Sequence, residues 1–163
     1  MESSRKGNID LPEKVVDATN KTGYRELFLT EGDSASGFLK ATRDAATQGV
    51  MPLRGKILNT FDLDLPDAYE NEEVKAIFTL LGAGAGSRFN ISKLRYEKII
   101  IATDADSDGD HISLLLIALF LKHAPKLIEN GKLYRVLAPF YGVNHQGKYK
   151  IFYSEEEFVE FEK

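Results

Sequence analysis

The chain has 163 residues, of which 43% are hydrophobic and 28% charged, and its formal net charge is −4. This length and composition are typical of one soluble globular domain with its own hydrophobic core. There are no cysteines, which excludes a disulfide framework and a thiolate metal site. The most apolar run, residues 112–121, is too short to span a membrane, and the N-terminus lacks the apolar segment of a signal peptide. We therefore expect a cytoplasmic protein with no membrane partner.

The negative net charge disfavours non-specific nucleic-acid binding, because proteins that bind phosphate backbones are usually basic. A metal site that gathers the acidic residues would remove this objection, since bound divalent ions invert the local field. Net charge alone therefore does not exclude a nucleic-acid substrate.

Strand and helix patterns alternate along the chain and predict an α/β fold with a doubly wound, mainly parallel sheet. A weak helical pattern lies within a polar lead-in, and a turn at Gln146 and Gly147 predicts a C-terminal hairpin, after which Ser154 would cap a last helix. In chain order, the predicted elements are a weak helix at 13–20, a strand at 26–30, a helix at 36–46, a strand at 50–55, a loop at 61–70, a helix at 71–81, a strand at 98–106, a helix at 111–125, a strand at 132–143 and a short helix at 155–161.

An acidic run, TDADSDGDHI (103–112), begins at the end of the clearest predicted strand, with aspartates at alternate positions from 104 to 110. Glu31 and Asp33 follow the strand at 26–30 in the same way. Functional groups collect at the carboxyl ends of parallel strands, so these carboxylates converge if the two strands are neighbours. Carboxylates so close raise one another's pKa unless a cation neutralises them. Oxygen ligands without a His or Cys cluster favour Mg²⁺, with Mn²⁺ as an alternative.

Calcium binding is an alternative for the acidic run, because DADSDG matches the start of an EF-hand loop. That loop needs a Glu at its twelfth position, where this chain has Leu115, and a preceding helix, where this chain has a predicted strand. Both requirements fail. A solvated acidic loop without a ligand is the other alternative, and the matching position of Glu31 counts against it.

The glycine-rich stretch GAGAGS (82–87) follows a predicted helix, whereas a nucleotide-binding loop follows a strand. Ser87 also occupies the place of the third glycine in the dinucleotide fingerprint. We interpret this stretch as a helix terminator. The sequence has no Walker-type GxxxxGK[ST] motif, so it has no ATP site of that kind.

Three motifs, EGDSA (31–35), PLRGKILN (52–59) and TDADSDGDHI, resemble in order and spacing the Toprim domain of type IIA DNA topoisomerases. The closest resemblance is to the gyrase B and topoisomerase IV B subunits. It implies a Rossmann-like Toprim fold, in which a mainly parallel central sheet is flanked by helices. On this basis we expect three parts, which are a lead-in segment (1–23), a Toprim domain (24–142) and a C-terminal hairpin with a short helix (143–163).

The resemblance implies a role for each matching acid. Glu31 would act in general acid/base catalysis and would also bind the metal. Asp104 and Asp106 would match the DxD pair that holds Mg²⁺, and Asp108 would be a ligand at the second metal position.

The resemblance also implies DNA contacts. Arg54 and Lys56, in PLRGK, would lie beside the scissile phosphate and take part in catalysis. Asn59, in the same motif, and His111 would contact DNA. For His111, a role in starting or packing its helix is an equally open interpretation.

The implied partners are double-stranded DNA, a tyrosine-bearing cleavage subunit of the gyrase A kind, and an ATPase domain or subunit. ATP would be hydrolysed by that ATPase part, which this sequence lacks, while Mg²⁺ or Mn²⁺ would bind here. We therefore expect one catalytic part of an ATP-hydrolysing type II DNA topoisomerase, inactive alone and either an excised domain or a subunit of a split enzyme. Split topoisomerases occur in large bacteriophages, so a phage source, with action in the host cytoplasm, is a hypothesis.

Two positions depart from the family pattern. Ser36 replaces a glycine of the usual EGDSAGG, and Asp110 stands where Ser is common and adds a negative charge beside the site. Two other functions stay open at this point. One is a stand-alone Toprim nuclease or primase-like enzyme, and the other is a binding module that only holds a cation.

Overall fold

The computed structural model describes residues 11–54 and 57–163, except for the side chains of residues 33–35. The strands are β1 (Glu26–Glu31), β2 (Gln48–Leu53), β3 (Lys98–Ala102), β4 (Leu133–Arg135), β5 (Tyr141–His145) and β6 (Lys148–Phe152). The α-helices are α1 (Gly32–Thr42), α2 (Leu65–Ala68), α3 (Glu72–Leu81), α4 (Ser107–His123), α5 (Pro125–Glu129) and α6 (Glu155–Glu162). Within these described ranges, no helix is long and apolar enough to cross a lipid bilayer.

The main sheet is four-stranded and parallel, with the strand order β2-β1-β3-β4. Glu31 of β1 pairs with Leu53 of β2, and Thr30 pairs with Ala102 of β3. All four strands therefore end at the same edge of the sheet, which we call the carboxyl edge. This architecture confirms the predicted α/β fold with a mainly parallel sheet.

The core lies between the sheet and the helices that cross it. Leu29 of β1 and Ile101 of β3 are fully buried, as expected of central strands in a parallel sheet. Leu116 and Phe120 of α4 pack into the same core, and the Phe120 ring makes an edge-to-face contact with Phe78 of α3. The long apolar helix α4 is thus fixed across the sheet by burial along most of its length.

Helix α3 forms as its sequence predicts. The Asn71 side chain accepts hydrogen bonds from the amides of Glu73 and Val74 and caps the first turn. The apolar positions that recur with helical spacing are buried, which fixes the helix on the core. Gly82 ends it with a positive φ of 66°, which a glycine adopts without strain. The interpretation of GAGAGS as a helix terminator is confirmed.

Helix α1 corrects one prediction, because it spans 32–42 and not 36–46. The residues after it form a turn in which the Asp44 side chain accepts hydrogen bonds from the Ala46 amide and the Thr47 hydroxyl. Such local side-chain bonds offer the backbone an alternative to the helix. The helix therefore ends before the alanine-containing stretch that the sequence pattern assigned to it.

The lead-in segment also differs from the prediction, since residues 13–20 are not helical. Val16 instead forms an antiparallel bridge with Val50, with N···O distances of 3.0 and 2.8 Å in the two directions. The edge strand β2 offers unpaired backbone groups, and pairing with them outweighs a weak helical preference.

The predicted strand at 132–143 is split in the structure. Strand β4 ends at Arg135, and β5 starts at Tyr141 in a separate two-stranded sheet with β6. Pro139 lies in the gap and has no backbone N–H to donate, which disfavours a continuous strand. The predicted hairpin turn is confirmed, because His145 pairs with Lys148 across residues 146 and 147.

Two short helices carry side-chain caps at their first turns. The predicted loop at 61–70 contains the helix α2, which Asp64 caps by accepting a hydrogen bond from the Asp67 amide at 3.1 Å. The predicted cap of the last helix is confirmed, since the Ser154 hydroxyl accepts a hydrogen bond from the Glu157 amide at 3.2 Å.

Candidate functional site

The carboxyl edge gathers side chains from three neighbouring strands. Glu31 is the last residue of β1, Arg54 directly follows β2, and Asp104 lies two residues beyond the end of β3. Because β1 lies between β2 and β3, these residues follow one another along the edge in the order Arg54, Glu31, Asp104. The condition for Glu31 and the acidic run to converge, that their strands are neighbours, is thereby met. Lys56 lies outside the described residues.

The backbone after Glu31 leaves one oxygen of its carboxylate free for a ligand. Gly32 has a positive φ of 67°, which turns the chain from β1 into α1 and suits a glycine. Glu31 stands at the cap position of α1, yet its side chain makes no capping hydrogen bond. Its Oε2 atom is buried and has no hydrogen-bond partner among the described residues. A shielded, unpartnered carboxylate oxygen is costly and indicates a site for a cation or a proton.

The pKa of Glu31 is raised above its ordinary value. Burial is the main cause, and the negative charges of Asp104, Asp106 and Asp108 raise the pKa further. A backbone hydrogen bond from Asp104 opposes the shift in part. Glu31 is therefore close enough to each of the three aspartates for their negative charges to act on it.

Asp106 has a second function in the local structure. Its Oδ1 atom accepts a hydrogen bond of 2.7 Å from the Gly109 amide, which caps helix α4. The N-terminal end of α4 also carries a positive partial charge that favours nearby carboxylates. Behind the site, the buried hydroxyls of Thr103 and Ser113 are hydrogen bonded at 2.8 Å and tie the end of β3 to α4.

The donor set fits a hard divalent cation, although the side chains do not form a closed cage. Within the two described ranges, no three Asp, Glu or His side chains are gathered closely enough to hold a metal ion as they stand. Asp104, Asp106 and Asp108 are exposed, although the Gly109 amide holds Oδ1 of Asp106, and Glu31 already offers a shielded oxygen. Carboxylate oxygens are the ligands that Mg²⁺ and Mn²⁺ prefer. These residues therefore suit Mg²⁺ if the exposed aspartates close on it.

The EF-hand alternative does not agree with the structure. Strand β3 precedes the acidic run, and Leu115 is a buried residue of α4 with 7% exposure. The twelfth position therefore packs into the core and has no contact with a loop ligand.

The extra acid at position 110 has a partner that the sequence did not reveal. The Asp110 side chain in the first turn of α4 forms an ion pair with Arg135 at the end of β4. Sequence reasoning missed Arg135, although the unusual extra acid was a signal that a nearby cation should exist. The second departure, Ser36, is buried in α1 with 1% exposure.

Three predicted DNA-binding residues lie in the described part of the chain, and all three are exposed. Arg54 lines a surface cleft with the acidic side chains of Glu13 and Glu72. The Asn59 side chain accepts a hydrogen bond of 3.1 Å from the Phe61 amide and holds a turn. His111 follows Asp110 on the exposed side of α4. Their exposure leaves them available for a ligand but does not by itself assign one.

Comparison with known sequences identifies the fold. The family described as "Toprim domain" matches residues 26–137. This chain belongs to the Toprim family. The matched range of this Toprim domain contains Glu31, Arg54 and the acidic run.

This Toprim domain is also similar to the B subunits of two kinds of bacterial topoisomerase, DNA gyrase and DNA topoisomerase 4. It is 41% identical to the DNA gyrase B subunit of Mycoplasmoides gallisepticum, over 99% of this chain and 26% of that protein. It is 43% identical to the DNA gyrase B subunit of Chlamydia muridarum, over 94% of this chain and 20% of that protein. It is 42% identical to the DNA topoisomerase 4 B subunit of Bacillus subtilis, over 94% of this chain and 24% of that protein. The chain therefore spans about a quarter of the length of these relatives.

Proposed function

We propose that this Toprim domain is the Mg²⁺-binding part of a type IIA DNA topoisomerase and supports double-strand DNA cleavage and religation by a tyrosine on a partner protein. The observation that carries this proposal is the shielded Oε2 atom of Glu31, which has no hydrogen-bond partner among the described residues, beside three exposed aspartates. The similarity to gyrase B and topoisomerase IV B subunits supplies the reaction class.

Glu31 is suited to moving a proton at the leaving oxygen. When the partner's tyrosine oxygen attacks the phosphorus, the bond to the 3′ oxygen breaks, and that oxygen must receive a proton. Burial is the main cause of the raised pKa of Glu31 and favours its protonated form, so this carboxyl group is better suited to donate a proton than an exposed glutamate. In religation the Glu31 carboxylate takes the proton back from the 3′ hydroxyl, so that one group serves both directions.

The aspartates supply the metal site. Asp104 and Asp106 would hold Mg²⁺, or Mn²⁺, together with Glu31, and Asp108 would serve a second position. A bound divalent ion supplies charge neutralisation at the phosphoryl transition state. Because Oδ1 of Asp106 accepts the hydrogen bond that caps α4, its other oxygen would be the one to bind the ion.

Cations beside this edge would hold the DNA. Arg54 follows the strand next to Glu31, and Lys56 is two residues further along the same motif. Together with Asn59 and His111 they would bind the backbone of double-stranded DNA in the cytoplasm. The ATP-hydrolysing part and the gyrase A-like tyrosine-bearing protein would be partners of this domain.

The proposal is tested by Mg²⁺-dependent plasmid cleavage with the tyrosine-bearing and ATPase partners supplied. We expect Glu31→Ala and Asp104→Ala each to lower the cleavage rate about 100-fold or more, the size typical of a lost acid/base or charge-stabilising group. The matched control is Glu97→Gln, since Glu97 is an exposed acid that precedes β3 at the opposite edge of the sheet.

Three outcomes would contradict the proposal. Cleavage by Glu31→Ala at the rate of the Glu97→Gln control would remove the assigned role. Mg²⁺-dependent nicking by the purified chain alone, leaving ends free of covalent protein, would instead indicate a stand-alone Toprim nuclease. Calorimetry with Mg²⁺ and Ca²⁺ covers the third possibility, because tight Ca²⁺ binding without any effect on cleavage would indicate a cation-binding module.

A further inference from the structure

A cleft of about 200 Å³ opens directly beside Asp104. Residues 103–105 form one wall together with Asp110 of α4, and the segment after β4 forms the other. Phe140, which precedes β5, and Tyr153, which follows β6, lie together at the open end of the β5–β6 hairpin and also line the cleft. The cleft thus shares one residue with the proposed metal site and extends away from it toward the C-terminal sheet.

The cleft contains one cation, Arg135, among its described lining residues. Within the described part of the chain, the guanidinium makes one hydrogen bond, donated from Nη2 to Asp110. A guanidinium has five N–H donors, so most of its hydrogen-bonding capacity is free. The side chain is 35% exposed, so a ligand in the cleft can reach it.

The side of the cleft opposite Asp104 is apolar and uncovered. Leu137, Phe140 and Tyr153 have exposures of 68%, 54% and 51%. Exposed aromatic rings next to a guanidinium with unused N–H donors are the kind of surface that single nucleotides bind, because a ring contacts the base or sugar and the cation binds the phosphate.

We propose that this cleft is a subsite for one nucleotide of the DNA strand that runs over the acidic site. Arg135 binds its phosphate, and Phe140 and Tyr153 contact its sugar or base. The inference rests on the proposed function, because the DNA reaches the cleft through the site that contains Asp104. Asp110 orients the guanidinium and at the same time competes with the phosphate for it.

This arrangement predicts opposite effects for the two members of the ion pair. Affinity of the whole chain for a short DNA duplex is measured with Mg²⁺ by fluorescence anisotropy across a range of salt concentrations. Arg135→Met weakens binding about threefold to tenfold. It also makes the negative slope of log affinity against log salt shallower by about one, as for one lost phosphate contact. Asp110→Asn tightens binding and steepens the slope, because the competing carboxylate is gone.

A purely structural ion pair gives a different result. If the pair only fastens α4 to β4, both substitutions lower the melting temperature together and neither changes the salt slope. The matched control is the Lys132–Glu97 ion pair, which lies at the opposite edge of the sheet, where β3 and β4 begin. Lys132→Met and Glu97→Gln should leave the salt slope unchanged, which separates a local contact from a change in total charge.

The apolar wall is tested by Tyr153→Ala. Because this side chain is half exposed, its removal has a small effect on folding, whereas loss of ring contact with a base or sugar weakens DNA binding about fivefold or more. Unchanged DNA affinity of Tyr153→Ala overturns the proposed contact between this ring and the bound nucleotide.

Failure of the subsite and failure of the proposed function are distinguishable. If Asp104→Asn abolishes the Mg²⁺ dependence of DNA binding while Arg135→Met has no effect, the subsite is wrong and the metal site stands. If Asp104→Asn has no effect while Arg135→Met weakens binding, the subsite stands and the metal role is wrong. The absence of salt-dependent binding by the unmodified chain at low salt overturns the subsite.

Discussion

Gly109 packs directly against the backbone of Asp104. A Cβ atom on residue 109 would lie 2.1 Å from the Asp104 carbonyl oxygen and 3.0 Å from its amide nitrogen. The first turn of α4 therefore fits against the acidic run only when residue 109 has no side chain. This contact fixes where Asp104 stands relative to Asp106 and Glu31.

Gly109→Ala should destabilise the fold and displace Asp104. Backbone atoms cannot yield as a flexible side chain does, so we expect a loss of about 2 kcal/mol or more of the free energy of unfolding. Thermal unfolding with and without Mg²⁺ measures both effects. The control is Gly37→Ala in α1, where a Cβ meets no atom within 4 Å and alanine should stabilise the helix by about 0.5–1 kcal/mol. Equal melting temperatures for the two variants would contradict this account.

Substitutions of Asp106 should separate its capping role from its charge. Asparagine is as good a helix cap as aspartate, so Asp106→Asn should keep the melting temperature of the apo protein while weakening Mg²⁺ binding. Asp106→Ala removes the hydrogen bond to Gly109 and should also cost about 1 kcal/mol of stability. Calorimetric Mg²⁺ titration together with thermal unfolding makes the comparison. Identical behaviour of the two variants would show that the charge and the cap cannot be separated.

Glu31→Gln should stabilise the metal-free protein at neutral pH. Because the pKa of Glu31 is raised from 4.5 in the folded state, the folded protein holds a proton that the unfolded chain has already released. The free energy of unfolding therefore falls as the pH rises from the ordinary pKa of a glutamate to the raised pKa of Glu31. Glutamine does not titrate, so the Glu31→Gln variant does not lose this stability. We expect its apo melting temperature to be about 2 °C higher at pH 7. A lower melting temperature of Glu31→Gln at pH 7 would contradict the raised pKa of Glu31.

The same variant should lose stabilisation by the metal. A ligand that binds only the folded state at 100 times its dissociation constant stabilises by about 2.7 kcal/mol. We expect Mg²⁺ to raise the melting temperature of the unmodified chain and to have little effect on Glu31→Gln. Glu97→Gln should respond as the unmodified chain does. If Mg²⁺ raised the melting temperature of Glu31→Gln as much as that of the unmodified chain, the metal would bind at a different site.

Tyr96→Phe should loosen the lead-in segment. The buried Tyr96 hydroxyl donates a hydrogen bond to Asp17, which also forms an ion pair with Arg95. Loss of this partner should cost about 1–3 kcal/mol, whereas Tyr149→Phe at an exposed position should have little effect. Thermal unfolding and the rate of proteolysis near residue 17 are the measurements.

The pH dependence of that contact has the opposite sign from Glu31. Burial tends to raise the pKa of Asp17, but hydrogen bonds from Tyr96 and Arg95 outweigh it and hold the pKa below 3.8. The contact therefore stabilises the fold above this value and is lost as pH falls through the lowered pKa. Asp17→Asn should flatten the acid side of the stability profile, and an unchanged profile would contradict this assignment.

Much of the fold was predictable because its signals are local. The β-branched strand β3, the helical period of α3 and the glycine that ends it all lie within one short stretch of chain. The sequence placed Glu31 and Asp104 at the carboxyl ends of two strands of a parallel sheet, but only the structure shows that these strands are neighbours. The identity of the acids as metal ligands was an implication of the motifs and stays a prediction.

What the sequence did not show depends on contacts between distant residues. Val16 joins β2 and not a helix, because the unpaired edge of that strand attracts it, and its pairing residue, Val50, is far along the chain. Arg135 was missed for the same reason, since its meaning depends on Asp110 reaching it across 25 positions. The end of α1 was misplaced because side-chain bonds of Asp44 compete with a helical pattern.

The bridge between Val16 and Val50 has a practical consequence. Without the lead-in segment, β2 would present its outer N–H and C=O groups to solvent along an otherwise buried, apolar strand. Such an exposed edge strand pairs readily with the same edge strand of another molecule. A version of the chain trimmed to begin at residue 21 should therefore self-associate and precipitate, although Glu31 and the acidic run would still be present.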